Sequence, residues 1–411
     1  MPEIVLVRHA ESEANLARTW QGRGNSALSP TGREQVDALS RRIDEQEFDL
    51  VATSPLDRAV ETAAAFGEQV ETHADLTEID LGTWEGVSVE TVATRDREVL
   101  RSIYAGGDDR FGTEGERMSE VAARAWAIID SLAARVGAGG RAVIVTHGGV
   151  IDSVLGSLLP VGRRRAHLMV ENASLTHLVG GPERWRLARF NDCTHLGRLT
   201  RFATRHLDSG GSVLALIRHG RTKANVEMRL QGQSCWGLDD VGEEQGAWLA
   251  DWYGRLSTVY SSPLSRATAT ARYVAASDVV EVAGLEEIGM GHWEGLVRED
   301  IRRDWPDLSR RIFEDGEDLP RGETGETWDG FTRRIFATIE SLVVGPGEVA
   351  GVVSHGGVIR AYLGALWAGV NTRRLHTPDN TSVSHIALTG DGPILCDYAV
   401  APHLERRAVT S

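Results

Sequence analysis

One ordered set of motifs occurs twice in this chain, and that repeat sets the size of the folding unit before any element is assigned. IVLVRH at 4–9 returns as LALIRH at 214–219, and SPLDRA at 54–59 as SPLSRA at 262–267. EIDLGTWEG at 78–86 returns as EIGMGHWEG at 287–295, and VTHGGVI at 145–151 as VSHGGVI at 353–359. Single residues keep step: Asn15 with Asn225, Gln21-Gly22 with Gln231-Gly232, Gly32 with Gly242, and Gly115-Glu116 with Gly325-Glu326. NASLTHL at 172–178 is echoed by NTSVSHI at 380–386, and the spacing stays between 208 and 210 throughout. A period this long is not that of a solenoid, so the pattern reads as two copies of one domain. The length agrees, because 411 residues exceed what one hydrophobic core usually serves. The expected domains are 1–205 and 212–405. The join at 206–211 overlaps Asp208-Ser209-Gly210-Gly211-Ser212, which has linker composition.

Within one copy, short apolar runs alternate with longer helical patterns. Ile4–Val7, Leu50–Thr53 and Ala142–Thr146 read as buried strands. Ser29-Pro30-Thr31-Gly32 looks like a helix start ahead of Glu34 to Ile43, and Leu56 to Phe66 and Val150 to Leu159 read as further helices. Ser174–Val179 and Trp185–Phe190 look like a closing hairpin. Such alternation predicts a three-layer α/β/α domain with a mainly parallel central sheet, present twice in tandem. Sites in such sheets lie at the carboxyl ends of the strands. Arg8-His9 and Thr146-His147 stand just past two strand ends, so the fold brings them together, with Ser54 and Arg58 beside them.

Composition narrows the partners. With 44 basic and 59 acidic residues the net charge is −15, which argues against a nucleic-acid face or an anionic membrane surface. No run reaches the length of a membrane span, and no signal-peptide pattern precedes Ile4. Cys193, Cys235 and Cys396 are scattered and lack metal-site spacing, which suits reduced thiols in the cytoplasm. No HExxH or cysteine cluster occurs, so neither a metal nor another cofactor is expected. The oligomeric state is not readable from the sequence.

Two arginines and two histidines around one point form a cationic pocket in an acidic chain. Guanidinium forks fit the non-bridging oxygens of a phosphoryl group. Phosphoryl transfer needs positioning, charge stabilisation and a nucleophile, and neutral imidazole attacks well near pH 7. A carboxyl group must protonate the leaving oxygen and then activate water. Glu78 is the candidate in the first copy.

These residues carry a family resemblance. RHA at 8–10, RHG at 218–220, the later His147 and His355, the SPLxRA arginines and the WEG-containing block are similar to the histidine phosphatase, or phosphoglycerate mutase-like, superfamily. The resemblance spans nearly all of both halves. It implies that His9 and His219 become phosphohistidine and that Glu78 and Glu287 donate the proton. It also implies that Arg8, Arg58 and His147, with Arg218, Arg266 and His355, hold the phosphoryl group. Asn15, Gln21, Asn225 and Gln231 match positions flanking phosphate or substrate. The expected activity is hydrolysis of a small phosphorylated metabolite, at one site in each half. The alternatives are mutase-type transfer back to a second hydroxyl, or one half serving as a non-catalytic module that binds a phosphorylated ligand.

The copies also differ. Ala10 replaces the glycine found at Gly220 and is expected to crowd the phosphate slightly. Glu11 faces Arg221 across the repeat, a charge reversal beside the nucleophile that is expected to separate the two substrates. The segments Val87 to Thr113 and Leu296 to Thr324 diverge most and are where specificity is expected to lie. Glu85, Glu294, Trp84 and Trp293 read as structural.

Overall fold

The computed structural model describes residues 1–44, 46–159, 169–367 and 372–405. Two compact units separate by their contacts: Met1–Arg201 with Trp367–His376, and Phe202–Leu366 with Thr377–Ser411.

The first unit is built on a six-stranded sheet in the order β3-β2-β4-β1-β5-β6. Its strands are β1 (Glu3–Arg8), β2 (Leu50–Thr53), β3 (Glu71–Thr72), β4 (Arg141–Thr146), β5 (Leu175–Val179) and β6 (Arg186–Asp192). The β1–β4, β4–β2 and β2–β3 pairs are parallel, whereas β5 and β6 close the edge as an antiparallel hairpin. Ile4 to Val7 of β1 and Ala142 to Val145 of β4 are all buried. Burial on both faces explains why these strands read as unbroken apolar runs rather than as alternations. The second unit repeats the order as β12-β11-β7-β10-β8-β9. Its strands are β7 (Ser212–Arg218), β8 (Thr258–Ser261), β9 (Val280–Glu281), β10 (Val349–Ser354), β11 (Val383–Thr389) and β12 (Gly392–Leu395). The expected fold class is therefore present twice: mixed, mostly parallel sheets with flanking helices.

Strand register positions the site. Arg8 at the end of β1 pairs with Thr146 at the end of β4, and the His9 N–H donates to the Thr146 carbonyl at 2.9 Å. The chain thus releases His9 and His147 side by side. From β2, the Ser54 N–H donates to the Val145 carbonyl at 2.9 Å, which sets Ser54 against the same end of β4. The second unit repeats this with Arg218 opposite Ser354, and with the N–H groups of His219 and Ser262 donating to Ser354 and Val353.

The helices depart from the sequence reading in instructive ways. The helix expected from Val150 begins two residues earlier and spans Gly148–Leu158. The two glycines are its first turn rather than a loop, and close neighbours explain why glycine stands there. A Cβ added at Gly149 would lie 2.6 Å from Glu78 Oε1. The helix Leu56 to Phe66 is Asp57–Ala63 followed by a 3₁₀ turn, Ala64–Phe66. Pro30–Ile43 starts at an Ser29 cap whose hydroxyl accepts from Gly32 N. A 19-residue helix, Met118–Val136, packs against Gly148–Leu158. In the second unit, Gly356–Leu366 follows His355 and packs against Trp328–Glu340.

Candidate functional site

In the first unit, His9 and His147 lie with ring centroids 5.1 Å apart, nearly edge to face. His9 Nδ1 is 2.7 Å from the Ala10 carbonyl, so that nitrogen carries the proton. Arg58 Nε donates to His9 Nε2 at 3.2 Å. Guanidinium has no acceptor, so Nε2 bears the lone pair. The two contacts together select the tautomer in which Nε2 keeps its lone pair and can act as a nucleophile. His147 Nε2 lies 2.7 Å from Ser54 Oγ, while its Nδ1 is buried without a protein partner, as are Arg8 Nε and Gln21 Nε2.

Arg58 is wholly buried. Its Nη1 and Nη2 donate to the Gly24 and Gly22 carbonyls at 2.8 and 2.9 Å. Arg8 Nη1 donates to the Val170 carbonyl. Neither guanidinium forms an ion pair with a carboxylate among the described residues. Two buried cations without an ion-paired carboxylate are costly, so the pocket suits an anionic group.

The second unit repeats this residue by residue. The His219 and His355 rings are 5.2 Å apart, His219 Nδ1 is 2.7 Å from the Gly220 carbonyl, and His355 Nε2 is 2.9 Å from Ser262 Oγ. Arg266 donates to the Ser234 and Gly232 carbonyls at 3.0 and 2.8 Å, and Arg218 to the Pro378 carbonyl. The buried atoms without a protein partner are Arg218 Nε, Arg266 Nε, His355 Nδ1 and Gln231 Oε1. The copies differ at the histidine, since Arg266 Nε has no bond to match that from Arg58 to His9, and at the glutamine, since Gln21 Oε1 accepts from Ser12 Oγ whereas Gln231 Oε1 has no protein partner.

The electrostatics agree with the tautomers. Burial holds the His9 and His219 imidazoles well below the usual histidine range, and the neighbouring guanidiniums push the same way. His147 and His355 are lowered for the same reasons, with the partner histidine adding to the effect. All four are therefore neutral near pH 7. Burial also lowers the arginines, Arg266 to about 10, while Glu78 and Glu287 oppose that shift in their own units.

Glu78 stands over the start of Gly148–Leu158. Its Oε1 accepts from Ile79 N at 2.9 Å and its Oε2 from Gly149 N at 3.3 Å. Glu287 does the same with Ile288 N at 2.9 Å and Gly357 N at 3.0 Å. Asn15 and Asn225 brace the nucleophile loops. Asn15 Oδ1 accepts from Ser12 N and from Asn172 Nδ2, each at 3.2 Å. Asn225 Oδ1 accepts from Thr222 N at 3.1 Å and Asn380 Nδ2 at 3.4 Å. Gln21 Oε1 accepts from Ser12 Oγ at 3.2 Å.

Several supporting residues escaped the sequence reading. Asn172 Nδ2 donates to the His9 carbonyl at 3.0 Å, and Asn380 Nδ2 to the His219 carbonyl at 2.8 Å. The NASLTHL echo was the available signal. Ala173 and Thr381 follow them with φ of 58° and 60°, strained for residues with a Cβ. Their N–H groups reach the Arg8 and Arg218 carbonyls at 3.0 Å. Arg124 braces the Glu78 loop, donating to the Thr77 and Glu78 carbonyls at 2.7 and 3.2 Å and to Glu116 at 3.0 Å. Arg334 and Glu326 repeat this beside Glu287. Glu85 Oε1 accepts from Arg23 N at 2.9 Å and packs on Gly22, whose φ is 52°. It thereby fixes the loop whose carbonyls hold Arg58. Trp84 is buried against Trp20 and Phe111 and donates to Asp96 at 2.6 Å.

The structure resets two expectations about the nucleophile loop. The Ala10 methyl packs with Leu28 and Ala173, so it is taken up by the core rather than crowding a phosphate. The charge reversal is answered locally: Glu11 accepts from Ser29 Oγ and pairs with Arg201, whereas Arg221 pairs with Asp239. Each partner, Ser29 or Asp239, caps the following helix.

The family model of the histidine phosphatase superfamily (branch 1) matches residues 4–193 and again residues 214–400. The metal-independent phosphoserine phosphatase of Arabidopsis thaliana is 32% identical over 207 residues, covering 48% of this chain and 85% of that protein. The probable phosphoglycerate mutase GpmB of Yersinia enterocolitica is 30% identical over 185 residues, covering 43% of this chain and 85% of that protein. A solved mycobacterial glucosyl-3-phosphoglycerate phosphatase with VO3 has 28% identity, covers 46% of this chain and 98% of its own, and superposes with a TM-score of 0.42. With both halves matched from the first strand to the last, the chain belongs to the histidine phosphatase superfamily, which it carries as two tandem copies.

Proposed function

We propose that each unit hydrolyses small phosphomonoesters through a phosphohistidine, at His9 in the first and His219 in the second. The observation that carries this reading is the tautomer at His9: Nδ1–H is committed to a carbonyl, and the Nε2 lone pair sits among buried cations lacking carboxylate partners. In the first step Nε2 attacks phosphorus, the ester P–O bond breaks, and the Glu78 carboxyl gives its proton to the leaving oxygen. Arg8, Arg58 and the His147 Nδ1–H stabilise the charge on the three equatorial oxygens. In the second step Glu78, now a carboxylate, takes a proton from water as it attacks phosphorus, and the N–P bond breaks to release phosphate. His219, Glu287, Arg218, Arg266 and His355 fill these roles in the second unit. Relatives named as a phosphoserine phosphatase and a probable phosphoglycerate mutase favour small metabolites as substrates.

The test uses His9→Ala, His219→Ala and the double variant in the full chain, assayed for phosphate release across a panel of esters. Two active sites give partial losses in the single variants and complete loss in the double. A single variant with wild-type turnover of every ester marks its unit as contributing no catalysis to those reactions. Transfer to a second hydroxyl without phosphate release marks a mutase.

A further inference from the structure

Two loops meet at each site. One carries Gly22 and Gly24, whose carbonyls hold Arg58, and the other carries Glu78, the proposed proton donor. In the first unit Arg23, between the two glycines, spans them. Its Nη1 lies 3.5 Å from Asp80 Oδ2 and its Nη2 3.2 Å from Glu116 Oε2. Asp80 stands two residues past Glu78, and its Oδ1 accepts from Gly82 N at 2.9 Å. The carboxylate that Arg23 grips thus also shapes the turn after the donor. Glu116 belongs to the same assembly, because its Oε2 accepts from Asp80 N and its own N–H donates to the Asp80 carbonyl, each at 2.9 Å.

The second unit makes the bridge without charge. Gln233 stands at the position of Arg23, and Gly289 at that of Asp80. Gln233 Nε2 donates to the Glu287 carbonyl itself at 3.1 Å. A Cβ at Gly289 would lie 3.7 Å from that Nε2 and 3.6 Å from Glu326 Oε2, so the amide lies against the glycine. The two exchanges therefore go together: arginine with aspartate, glutamine with glycine. Another residue fixes the backbone of each loop. Glu85 Oε1 accepts from Arg23 N, and Glu294 Oε1 from Gln233 N, each at 2.9 Å. That leaves the Arg23 and Gln233 side chains to make the link between loops. The Arg23 and Asp80 side chains are 44% and 38% exposed, so the ionic bridge is open to screening by salt, whereas a neutral hydrogen bond is not.

We propose that Arg23 and Gln233 are positioning residues for the proton donors Glu78 and Glu287, and that the ionic form of the bridge makes proton donation salt-sensitive at the first site alone. The inference rests on the phosphatase reading and adds what holds the acid of each site in place.

The experiment uses the full chain, with His219→Ala to report the first site and with His9→Ala to report the second. It compares glycerol 3-phosphate with p-nitrophenyl phosphate, which share the phosphoryl group and differ in the oxygen that leaves. Nitrophenolate departs without a proton, whereas an alkoxide needs one. The ratio of kcat/KM for the alkyl ester over the aryl ester therefore reads proton donation. Glu78→Gln and Glu287→Gln set the size of a full loss. Arg23→Ala is expected to lower the ratio at the first site about two- to fivefold, and Gln233→Ala at the second about two- to tenfold. Inhibition by inorganic phosphate stays within about twofold in both, and Arg23→Lys restores part of the ratio. Raising sodium chloride from about 0.05 M to about 1 M, where the screening length is about 3 Å, lowers the ratio at the first site about two- to fivefold. The same change leaves the ratio constant in Arg23→Ala and at the second site. Arg23→Gln replaces the alanine variant if that protein does not fold, as judged by circular dichroism. Equal losses on both esters, or an unchanged ratio where the donor variant lowers it, overturn the role of the residue tested. Equal salt dependence at the two sites overturns the ionic distinction. A ratio that Glu78→Gln and Glu287→Gln leave unchanged overturns the proton-donor step of the phosphatase reading and the inference with it, which separates the two failures.

Discussion

Arg58 Nε lies 3.2 Å from His9 Nε2 and donates into the lone pair that the chemistry requires. The same guanidinium holds the Gly22 and Gly24 carbonyls, so one residue ties the nucleophile to the loop over the pocket. It also helps to keep His9 neutral. Arg58→Ala is expected to lower kcat/KM at the first site at least about 100-fold, read in a His219→Ala background. Loss of its positive charge raises the His9 pKa, so the acid limb of the pH–rate profile moves to higher pH. A profile unmoved by the substitution would deny that electrostatic coupling.

The four site histidines share a consequence for stability. Their folded pKa values lie well below 6.5, chiefly through burial. The unfolded chain therefore takes up protons first as pH falls. Stability from these groups is complete above about pH 6.5 and is lost below it, with a slope approaching about 1.4 kcal/mol per pH unit for each histidine. Glu3, lowered to about 2 with Arg141 and His177 as partners, loses its contribution only as pH falls below the normal glutamate range. Urea midpoints at pH 7.5, 6.5 and 5.5 should drop between the last two values. His147→Gln and His355→Gln should flatten that drop.

Ser54 and Ser262 hold the second histidine of each pair. Removing either hydroxyl leaves a buried ring nitrogen without its partner. Ser54→Ala should cost about 1–3 kcal/mol of stability and lower kcat at the first site, while leaving the second site unchanged. Denaturant titration with ester assays in the single-histidine backgrounds measures both.

A Cβ at Gly149 would lie 2.5 Å from Ile79 Cδ1 and 2.6 Å from Glu78 Oε1, and one at Gly357 would lie 2.1 Å from Glu287 Oε1, so a side chain at either position must push its neighbours aside. Gly149→Ala is expected to displace Glu78 and Ile79 while leaving Arg8 and Arg58 in place. Turnover at the first site should fall about 10- to 100-fold, with phosphate inhibition little changed. Equal loss of turnover and phosphate affinity would place the damage elsewhere.

Much of this was legible in the sequence because the repeat tests itself. Arg8, His9, Arg58 and His147 recur at offsets of 208 to 210, and four strands of the first unit read within a residue of their observed limits. What was not legible depends on long-range contacts or on backbone shape. The charge reversal at Glu11 and Arg221 looked functional until Arg201 and Asp239 appeared as partners, one of them 190 residues away. Ala173 gives no sign of its left-handed backbone, since alanine carries no such preference. Arg124 lies 46 residues beyond the glutamate loop it braces. Met118–Val136 begins behind Arg117 rather than a preferred capping residue, so its start carried no signal.

The most direct measurement is rapid quenching of turnover in alkali, which preserves phosphohistidine, followed by peptide mapping by mass spectrometry. Phosphate on Nε2 of His9 and of His219, each abolished by alanine at its own position alone, is the predicted result. Phosphate on neither histidine while esters are being hydrolysed would contradict the account.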